Sequence, residues 1–515
     1  MRKIYTIALL CLCFMCLCPG GVYAQIVKVN STESLEKAAS AAQAGTTIQM
    51  EDGDYKNIRL IVKANGTSEK PVLIEAVNPG KVFFTGDVKV QLRGNYITLS
   101  GVYFKDGARN PKEWKSHGPG LVAIYGSHCR ITDCMFYRFD DANSAYITTS
   151  LDKDGNVPQY CRIDHCAFIE KATLDQVINL NNTPKKMDEG EPGIPMYHRI
   201  DHCYFSNPPK KGNAGGGIRI GYWRKDFGRC LVDNNVFERQ DSEAEIVTSK
   251  SRENVYFNNL FINCRGTLNF RHGDDQVALC NTFVSTDGMY GYGGMYIWGS
   301  GHLVANNYFN LEKTLKDRGN AAMYFNVGPK ASEHALAYNT DVVGNVFENI
   351  GGTALHMAPH RDRREQSFGK DRVELPHDIR FTENLFLQNA FKKYTVINDV
   401  HGNARNNQWK NNFYTGWESG VEESLEGLTP AKITRKGKTQ QWNGYKPLSK
   451  KELVNEKMKR NIEGVDLDFI TIVTSGQKGA TIRKSEVGPG WAGGKFPGDY
   501  AKSGVWTLPI AGKNK

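Results

Sequence analysis

Beyond its first two dozen residues, the 515-residue chain has no long apolar run, and this absence excludes a membrane-spanning helix. The one apolar run, from Ile7 to Leu17, follows Arg2 and Lys3 and is itself followed by Val22-Tyr23-Ala24. Basic residues, a short apolar core and small residues in that order are typical of a secretory signal peptide. We therefore expect residues 1–24 to be removed and the protein to be exported, either to the periplasm or as a secreted protein.

The chain also has no excess of acidic side chains. It contains 55 Asp and Glu against 65 Lys and Arg, for a net charge of +10. A basic surface on an exported protein suits a polyanionic partner. Ordinary scatter of charged residues explains the same excess equally well, so the net positive charge alone does not indicate a function.

Stretches that favour helix are scarce in the body of the chain, which argues against helical and leucine-rich solenoids. In their place a six-residue phrase recurs: an apolar residue, two mostly polar residues, Cys or Asn, any residue, then Phe. Its phenylalanines lie 22 to 39 residues apart. Irregular spacing around a short constant core is typical of a solenoid, and short β-rich phrases predict an all-β, right-handed parallel β-helix. The copies include ITDCMF (131–136), IDHCAF (163–168), IDHCYF (200–205), VDNNVF (232–237) and FTENLF (381–386).

Two residues before each phenylalanine, the phrase carries Cys134, Cys166 and Cys203 and then a series of asparagines. Stacked asparagines can hydrogen-bond along the rod, and cysteine is a small apolar residue suited to the same interior row. We therefore expect the eight cysteines after the leader to be free thiols, although an even number in an exported chain also suggests disulfides. The asparagines are Asn235, Asn259, Asn281, Asn307, Asn345 and Asn384.

We expect the β-helix to occupy residues 25–420, with residues 421–515 forming a segment that packs on it or extends it. A solenoid needs its open end covered. The stretch from Asn30 to Glu33 resembles a helix start in which Glu33 completes a capping box, so we predict an N-terminal cap helix there. SKKELVNEKMKR (449–460) predicts a short surface helix in the tail.

The repeat provides a ruler, since adjacent coils of a β-helix lie roughly 4.8 Å apart. Asn213 lies eight residues after Phe205 and Glu245 lies eight after Phe237, which predicts equivalent positions in neighbouring coils. Glu243 precedes Glu245 by two residues and is expected on the same face of a strand. One amide and two carboxylates predict a site for a hard cation, calcium before magnesium. A Glu-x-Glu pair is otherwise usually a solvated strand face.

Counting backward gives a second alignment. Lys250 lies 11 residues before Phe261 and Arg271 lies 12 before Phe283, so these cations are expected to stack one coil beyond the acidic pair. A cation site, a lysine and an arginine along one side of a rod predict a groove for a long polymer. The alternative is that Arg271 is paired with the aspartates that follow it.

The strings around these residues, GNAGGGIRIGY, RQDSEAEIVTSKS and NFRHGD, resemble the exported β-helical lyases of polysaccharide lyase family six, in particular those that act on dermatan sulfate. The resemblance extends over nearly all of the chain after the leader, including WKSHGPGLVAIYGS (114–127) and YGGMYIWGS (292–300). It departs at Pro184-Lys185-Lys186, where those enzymes carry an arginine, and in the tail, which matches poorly.

The resemblance implies a calcium site at Asn213, Glu243 and Glu245, with Lys250 as the Brønsted base and Arg271 as its partner near the scissile bond. It also implies contacts to sugar, sulfate or carboxylate at several further positions, for which a solvated basic loop or a groove wall is the alternative. The residues that it implies there are Trp298, Arg318, Arg363 and Arg364, with His117 and His272 as further groove candidates.

We therefore expect a calcium-dependent polysaccharide lyase that cleaves dermatan sulfate by β-elimination and leaves 4,5-unsaturated uronate ends. One alternative is an alginate lyase of the same family, and another is a non-catalytic β-helix that only binds acidic polysaccharide. A hydrolase of the pectin-degrading type is disfavoured, because no cluster of aspartates occurs at the site. We expect a monomer with no nucleic-acid partner.

Overall fold

The computed structural model describes residues 25–112, 118–171, 173–181, 193–206, 215–286, 293–314, 320–330, 333–388, 395–399, 406–416, 426–430, 433–436, 439–442 and 479–497. Some predictions fall outside these ranges and stay predictions. They are the leader at 1–24, the helix at 449–460, and the site residues His117, Asn213 and Arg318.

In the described ranges, forty parallel strands wind into three long sheets, and the chain visits sheets A, B and C in turn. The prediction of a parallel β-helix is therefore confirmed. The strands of sheet A are Ile26–Val29, Thr47–Met50, Val72–Ala76, Ile97–Ser100, Arg130–Thr132, Arg162–Asp164, Arg199–Asp201, Leu231–Asp233, Val255–Phe257, Val277–Leu279, Leu303–Ala305, Asp341–Val343, Arg380–Thr382 and Gln408–Lys410.

Sheet B also has fourteen strands, and sheet C has twelve. The strands of sheet B are Gly53–Lys56, Val82–Gly86, Val102–Gly107, Met135–Tyr137, Ala167–Ile169, Tyr204–Ser206, Val236–Glu238, Leu260–Ile262, Thr282–Val284, Tyr308–Asn310, Val346–Glu348, Leu385–Leu387, Asn412–Thr415 and Leu428–Pro430. The strands of sheet C are Arg59–Val62, Lys89–Leu92, Val122–Ile124, Ile147–Thr149, Ile178–Leu180, Ile218–Ile220, Glu245–Ser249, Thr267–Phe270, Met295–Ile297, Ala321–Phe325, Thr353–Met357 and Ile397–Asn398. Ile433–Lys436 and Thr439–Trp442 form an antiparallel hairpin.

The phenylalanines of the repeat all lie in sheet B and form one continuous stack inside the rod. From Phe104 to Phe386, successive ring centroids are 4.2 to 5.1 Å apart. This spacing is close to the separation of hydrogen-bonded strands, so each ring covers the next without distorting the sheet. The six-residue phrase thus spans a sheet A strand, the turn and a sheet B strand.

The asparagines of the repeat form a buried ladder in the turn between sheets A and B. Each Nδ2 donates to the Oδ1 of the next asparagine at 2.9–3.0 Å, from Asn235 to Asn412. The ladder runs one residue beyond the predicted series. Cys203 joins it, because its backbone N–H donates to Asn235 Oδ1 at 2.9 Å. The eight cysteines of the described chain are buried free thiols, as predicted.

The predicted cap helix is present as Thr32–Ala41 and buries Leu35, Ala38 and Ala39. Its capping residues differ from the prediction, because the N-cap is Ser31 and the capping box is completed by Ser34 rather than Glu33. The helix starts one residue later than the pattern suggested, which moves the third helical position to Ser34.

A second helix, Arg361–Phe368, was not predicted. It is short, it has no side-chain cap at His360, and none of its residues is buried, so it lacks the usual sequence signals. The described ranges also contain three 3₁₀ turns: Lys370–Arg372, Lys484–Glu486 and Gly490–Ala492. No helix in the described ranges is long and apolar enough to cross a membrane.

Residues 479–497 lie along the outer side of sheet B and run back toward its early coils. The Gly479 N–H donates to Asn306 O at 2.9 Å. Further along, Trp491 Nε1 donates to Asp133 O at 2.9 Å. This segment therefore spans many coils on a sheet other than sheet C, which carries the candidate site.

Candidate functional site

Three side chains of the candidate site follow neighbouring strands of sheet C at equivalent positions. Ser249 pairs with Phe270, and Phe270 pairs with Ile297. The next residues along the chain, Lys250, Arg271 and Trp298, therefore lie in successive coils. Counting back from the phenylalanines predicts the same alignment of Lys250 with Arg271. The prediction that both cations lie one coil beyond the acidic pair is wrong for Lys250, which directly follows the strand that begins at Glu245.

Two clefts lie on either side of Lys250 along sheet C, and we call the pair the groove. The first cleft, of about 540 Å³, lies toward the early coils, and Arg219 and Tyr222 are among its lining residues. The second, of about 270 Å³, lies toward the later coils, and Arg271 is among its lining residues. The Lys250 Nζ lies 5.4 Å from the centroid of the Tyr222 ring. Lys250 lines neither cleft itself, but the strand that it follows lies between the strand that contains Arg219 and the strand that Arg271 follows in sheet C.

Burial is the largest influence on the Lys250 amine and lowers its pKa. The positive charge of Arg219 and then that of Arg271 lower the pKa further, while Glu245 and Glu243 act in the opposite direction. The net effect favours the neutral amine, the form that can accept a proton. Sequence analysis identified neither the burial of this amine nor Arg219 as a neighbour.

Arg271 is fixed between an acidic and an aromatic neighbour. Its Nη1 lies 3.4 Å from Glu245 Oε1, and its guanidinium carbon lies 5.4 Å from the Trp298 ring. Ion pairing and stacking on the ring restrict a side chain that is otherwise flexible. The planar guanidinium is thereby held at the edge of the second cleft.

Equal counts from the phenylalanines do not give equal positions in sheet C. Ile218 pairs with Val247, although Ile218 lies 13 residues after Phe205 and Val247 lies 10 after Phe237. The loops between sheets B and C differ in length from coil to coil. Equal numbers of residues counted forward from the phenylalanines therefore do not mark equivalent positions in sheet C. The proposed alignment of Asn213 with Glu245 therefore loses its support from counting, and Asn213 itself lies outside the described residues.

The two predicted acidic ligands lie at the start of a sheet C strand. Glu245 is its first residue, whereas Glu243 precedes the strand, and the pairing is irregular between Glu245 and Val247. The strict alternation assumed for the pair therefore does not apply. The Gly215 N–H donates to Glu243 Oε2 at 2.9 Å.

The chemistry of this donor set fits a hard cation only in part. Carboxylate oxygens are the ligands that calcium prefers, and Glu243 and Glu245 both act electrostatically on Lys250. Across the described ranges, no group of three His, Cys, Asp or Glu residues could hold a metal ion. A complete shell needs further oxygen donors, such as the predicted Asn213 amide, water or substrate. Calcium binding stays a prediction.

His272 is buried beside Lys250 and lines neither cleft. Its Nδ1 lies 3.3 Å from Tyr222 O and 3.2 Å from a Glu333 carboxylate oxygen. Burial, followed by the charges of its neighbours, lowers the pKa of His272 to about 2. The ring is therefore neutral at ordinary pH, and its predicted contact with substrate stays a prediction.

The second cleft brings together the other described residues that sequence analysis singled out. Trp298, Arg363 and Arg364 line it, and both arginines belong to the helix Arg361–Phe368. Arg364 Nη2 donates to His334 O at 2.8 Å, which anchors the helix over the cleft. Burial lowers the pKa of Arg364, and Arg271 and Arg363 add to the effect. The cleft therefore concentrates positive charge.

These features define the class of the molecule: a parallel β-helix with a long, cation-lined groove on one sheet. The family model for chondroitinase B matches residues 29–468. The chain therefore belongs to the chondroitinase B family, within polysaccharide lyase family six. Both the family and the fold expected from the sequence are confirmed.

Solved structures of family-six lyases share the fold. The alginate lyase AlyGC has a TM-score of 0.68 at 22% identity over 90% of this chain and 58% of that enzyme, so the chain spans less than two thirds of it. A mannuronic acid specific lyase from human gut microbiota gives 0.65 at 24% identity over 80% of this chain and 92% of that one. An alginate lyase in complex with a trisaccharide gives 0.64 at 16%, with shares of 82% and 92%. The comparison with curated proteins found no match.

Proposed function

We propose that the protein is an exported, calcium-dependent lyase that cleaves dermatan sulfate by β-elimination. Membership of a polysaccharide lyase family gives the reaction class. The observation that carries the finer proposal is the position of Lys250, a partly buried amine with a lowered pKa in the coil between the two clefts. A polymer lying in both clefts would present a linkage to this amine.

Lys250 acts as the base that removes the C5 proton of the uronic acid. An amine accepts a proton only when it is neutral, and a free lysine is almost wholly charged near neutrality. Burial and the charges of Arg219 and Arg271 favour the neutral amine at lower pH. The C5–H electron pair then forms the C4–C5 double bond, and the C4–O bond breaks with its electrons going to the leaving oxygen.

The C5 proton is hardly acidic while the adjacent carboxylate carries its full negative charge, because abstraction adds a second charge there. Arg271, held by Glu245 and Trp298, supplies a permanent positive charge beside this position. Glu243 and Glu245 would help to hold a calcium ion, which would supply further positive charge to neutralise the carboxylate.

The leaving oxygen receives its proton from Lys250 or from water. With a pKa of about 2, His272 is neutral and is a poor general acid. An arginine such as Arg271 is a poor proton donor as well. After the first step, Lys250 carries the abstracted proton as an ammonium group at the same cleavage point, which supports a double role for this residue.

The distribution of cations favours a sulfated polymer over alginate. Arg219 lines the first cleft, and Arg271, Arg363 and Arg364 line the second. Guanidinium groups bind sulfate and carboxylate through paired hydrogen bonds, and alginate, with a single carboxylate on each sugar, needs fewer of them. Cleavage of alginate is the second candidate, supported by the solved family-six structures whose titles describe alginate lyases.

The test is the ultraviolet absorbance of the unsaturated uronate, measured with dermatan sulfate, chondroitin sulfates lacking iduronate, and alginate. Each polymer is incubated with calcium and, separately, with a chelator. We expect product from dermatan sulfate that is lost on chelation. Product from alginate alone would transfer the proposal to the second candidate. Absence of product from every polyuronate would overturn the lyase proposal in favour of a binding protein.

A further inference from the structure

Arg219 lines the first cleft and was not among the residues that sequence analysis singled out. It is the middle residue of the strand Ile218–Ile220, whose two isoleucines are fully buried inside the rod. Strand alternation therefore directs Arg219 to the outer face of sheet C. Its Nε donates to Asn179 Oδ1 at 2.9 Å, which fixes the side chain across one coil.

Arg219 has no acidic partner in the described part of the chain. Its contacts there are the Asn179 hydrogen bond and the Tyr222 ring, whose centroid lies 5.5 Å from the guanidinium carbon. Asp175 and Glu243 act on it only through their charges, and burial outweighs them and lowers the pKa of Arg219. Among the described residues that line the first cleft, it is the only charged one.

Three arginines on sheet A are arranged differently. Each is paired with an aspartate of the next coil at 2.6 to 2.8 Å. A partly buried guanidinium without such a partner loses solvation and gains no compensating ion pair, so it costs stability. A protein is expected to tolerate such a loss of stability where a bound ligand supplies the anionic partner of the guanidinium. The paired arginines are Arg130, Arg162 and Arg199.

We propose that Arg219 binds an oxyanion of the polysaccharide, a sulfate or a carboxylate, on the sugar that occupies the first cleft. The proposal rests on the proposed function and adds a residue that determines specificity. Arg219 and Lys250 both approach the Tyr222 ring, at 5.5 Å and 5.4 Å from its centroid. An oxyanion held by Arg219 therefore lies close to the base and fixes which linkage of the polymer reaches Lys250.

The test measures binding of a dermatan hexasaccharide by titration calorimetry in a Lys250→Ala background, where turnover does not interfere. We expect Arg219→Gln to raise the dissociation constant about ten- to a hundred-fold, as for the loss of a charged hydrogen-bonded pair. Arg219→Lys, which keeps the charge but not the fork, is expected to give a smaller rise. The unfolding temperature of Arg219→Gln is not expected to fall, because an uncompensated charge has been removed.

Chemically modified hexasaccharides distinguish the two sources of the oxyanion. A desulfated hexasaccharide keeps its carboxylates, and a carboxyl-reduced one keeps its sulfates. If Arg219 binds sulfate, Arg219→Gln weakens binding of the carboxyl-reduced sugar but leaves binding of the desulfated sugar unchanged. The reverse pattern identifies the carboxylate. Either pattern supports the proposal.

Arg59→Gln is the matched control, because Arg59 lies on the same sheet, five coils earlier, and is already paired with Asp87 at 2.7 Å. We expect it to leave binding unchanged. Unchanged binding in both Arg219→Gln and Arg219→Lys, or no binding by the parent protein, would overturn the proposal. The binding assay is independent of cleavage, so a wild-type protein that binds the hexasaccharide but forms no unsaturated product would overturn the proposed function alone.

Discussion

Arg271 and Glu245 form an ion pair between neighbouring coils, with Arg271 Nη1 at 3.4 Å from Glu245 Oε1. The pair connects the predicted calcium ligands with the cation beside the base. Glu245 also raises the pKa of Lys250 through its charge, against the lowering by burial and by Arg219. A change at Glu245 is therefore expected to affect metal binding and proton transfer together.

Glu245→Gln is expected to weaken calcium binding, because it removes a predicted carboxylate ligand. It is also expected to lower the pKa of Lys250, because it removes a negative charge that raises this pKa. Calorimetric titration with calcium measures the first effect. The pH dependence of the remaining activity measures the second, and its rising limb should move to lower pH. A variant with wild-type calcium affinity would contradict the assignment of Glu245 as a ligand.

Lys250→Ala is expected to reduce the cleavage rate by about 10²–10⁴-fold, the usual contribution of a general base. The burial that lowers the pKa of Lys250 also means that alanine removes a poorly solvated charge, so the unfolding temperature should not fall. A purely structural lysine would instead show a parallel loss of stability and activity in thermal-unfolding and rate measurements.

Activity of the wild-type enzyme is expected to rise with pH through the lowered pKa of Lys250, because only the neutral amine accepts a proton. The stability of the folded state is also expected to rise with pH. The unfolded chain holds this proton up to the ordinary lysine value, so folding releases a proton in that window and higher pH favours the folded state. Initial rates measured between neutral and alkaline pH, compared with Lys250→Arg, check the first expectation.

Asn281→Ala is expected to destabilise the rod by about 3 kcal/mol or more, since several buried groups each lose a partner worth about 1–3 kcal/mol. Asn281 Nδ2 donates to Tyr256 O at 2.9 Å and to Asn307 Oδ1 at 3.0 Å, and its Oδ1 accepts from the Asn259 N–H at 3.0 Å. Denaturant unfolding measures the loss. Asn78→Ala removes an exposed asparagine and serves as the control; equal losses would contradict a special contribution of the ladder.

His198→Asn is expected to make the protein more resistant to acid. Burial lowers the pKa of His198 to about 3 from an ordinary value of 6.5, so the folded state stays unprotonated while the unfolded chain takes up a proton. Stability is therefore lost as pH falls from about 6.5 toward 3. His198 Nδ1 accepts from the Cys161 N–H at 3.0 Å, and Asn254 does the same for Cys230 at 3.1 Å. An unchanged acid-unfolding midpoint would contradict this explanation.

The repeat predicted the parts of the fold in which successive coils are equivalent. The stack from Phe104 to Phe386 and the asparagine ladder follow directly from residues that recur at fixed positions in a six-residue phrase. Buried rows of this kind must repeat, because each coil packs on the next. They also explained the free thiols without disulfides.

Prediction failed where the coils differ. The loops between sheets B and C vary in length, so Ile218 and Val247 pair despite unequal distances from their phenylalanines. Counting backward succeeded at Lys250 and Arg271, because the turns after those two strands have almost the same length. Irregular loops are also where the groove is built, so the site was less predictable than the rod.

Arg219 was missed because a charged residue between two isoleucines is ordinary for a strand with one solvated face. The available signal was the string IRIGY, in which a single arginine faces outward beside a predicted groove. Its lack of an acidic partner depends on which side chains neighbouring coils bring to it. That information exists only in three dimensions.

The most direct test of the account is the formation of unsaturated uronate ends from dermatan sulfate, with calcium present, by the wild-type protein and by folded Lys250→Ala. We predict rapid accumulation of these ends with the wild type and almost none with the variant. Wild-type rates in Lys250→Ala, or chain cleavage without any unsaturated end, would contradict it.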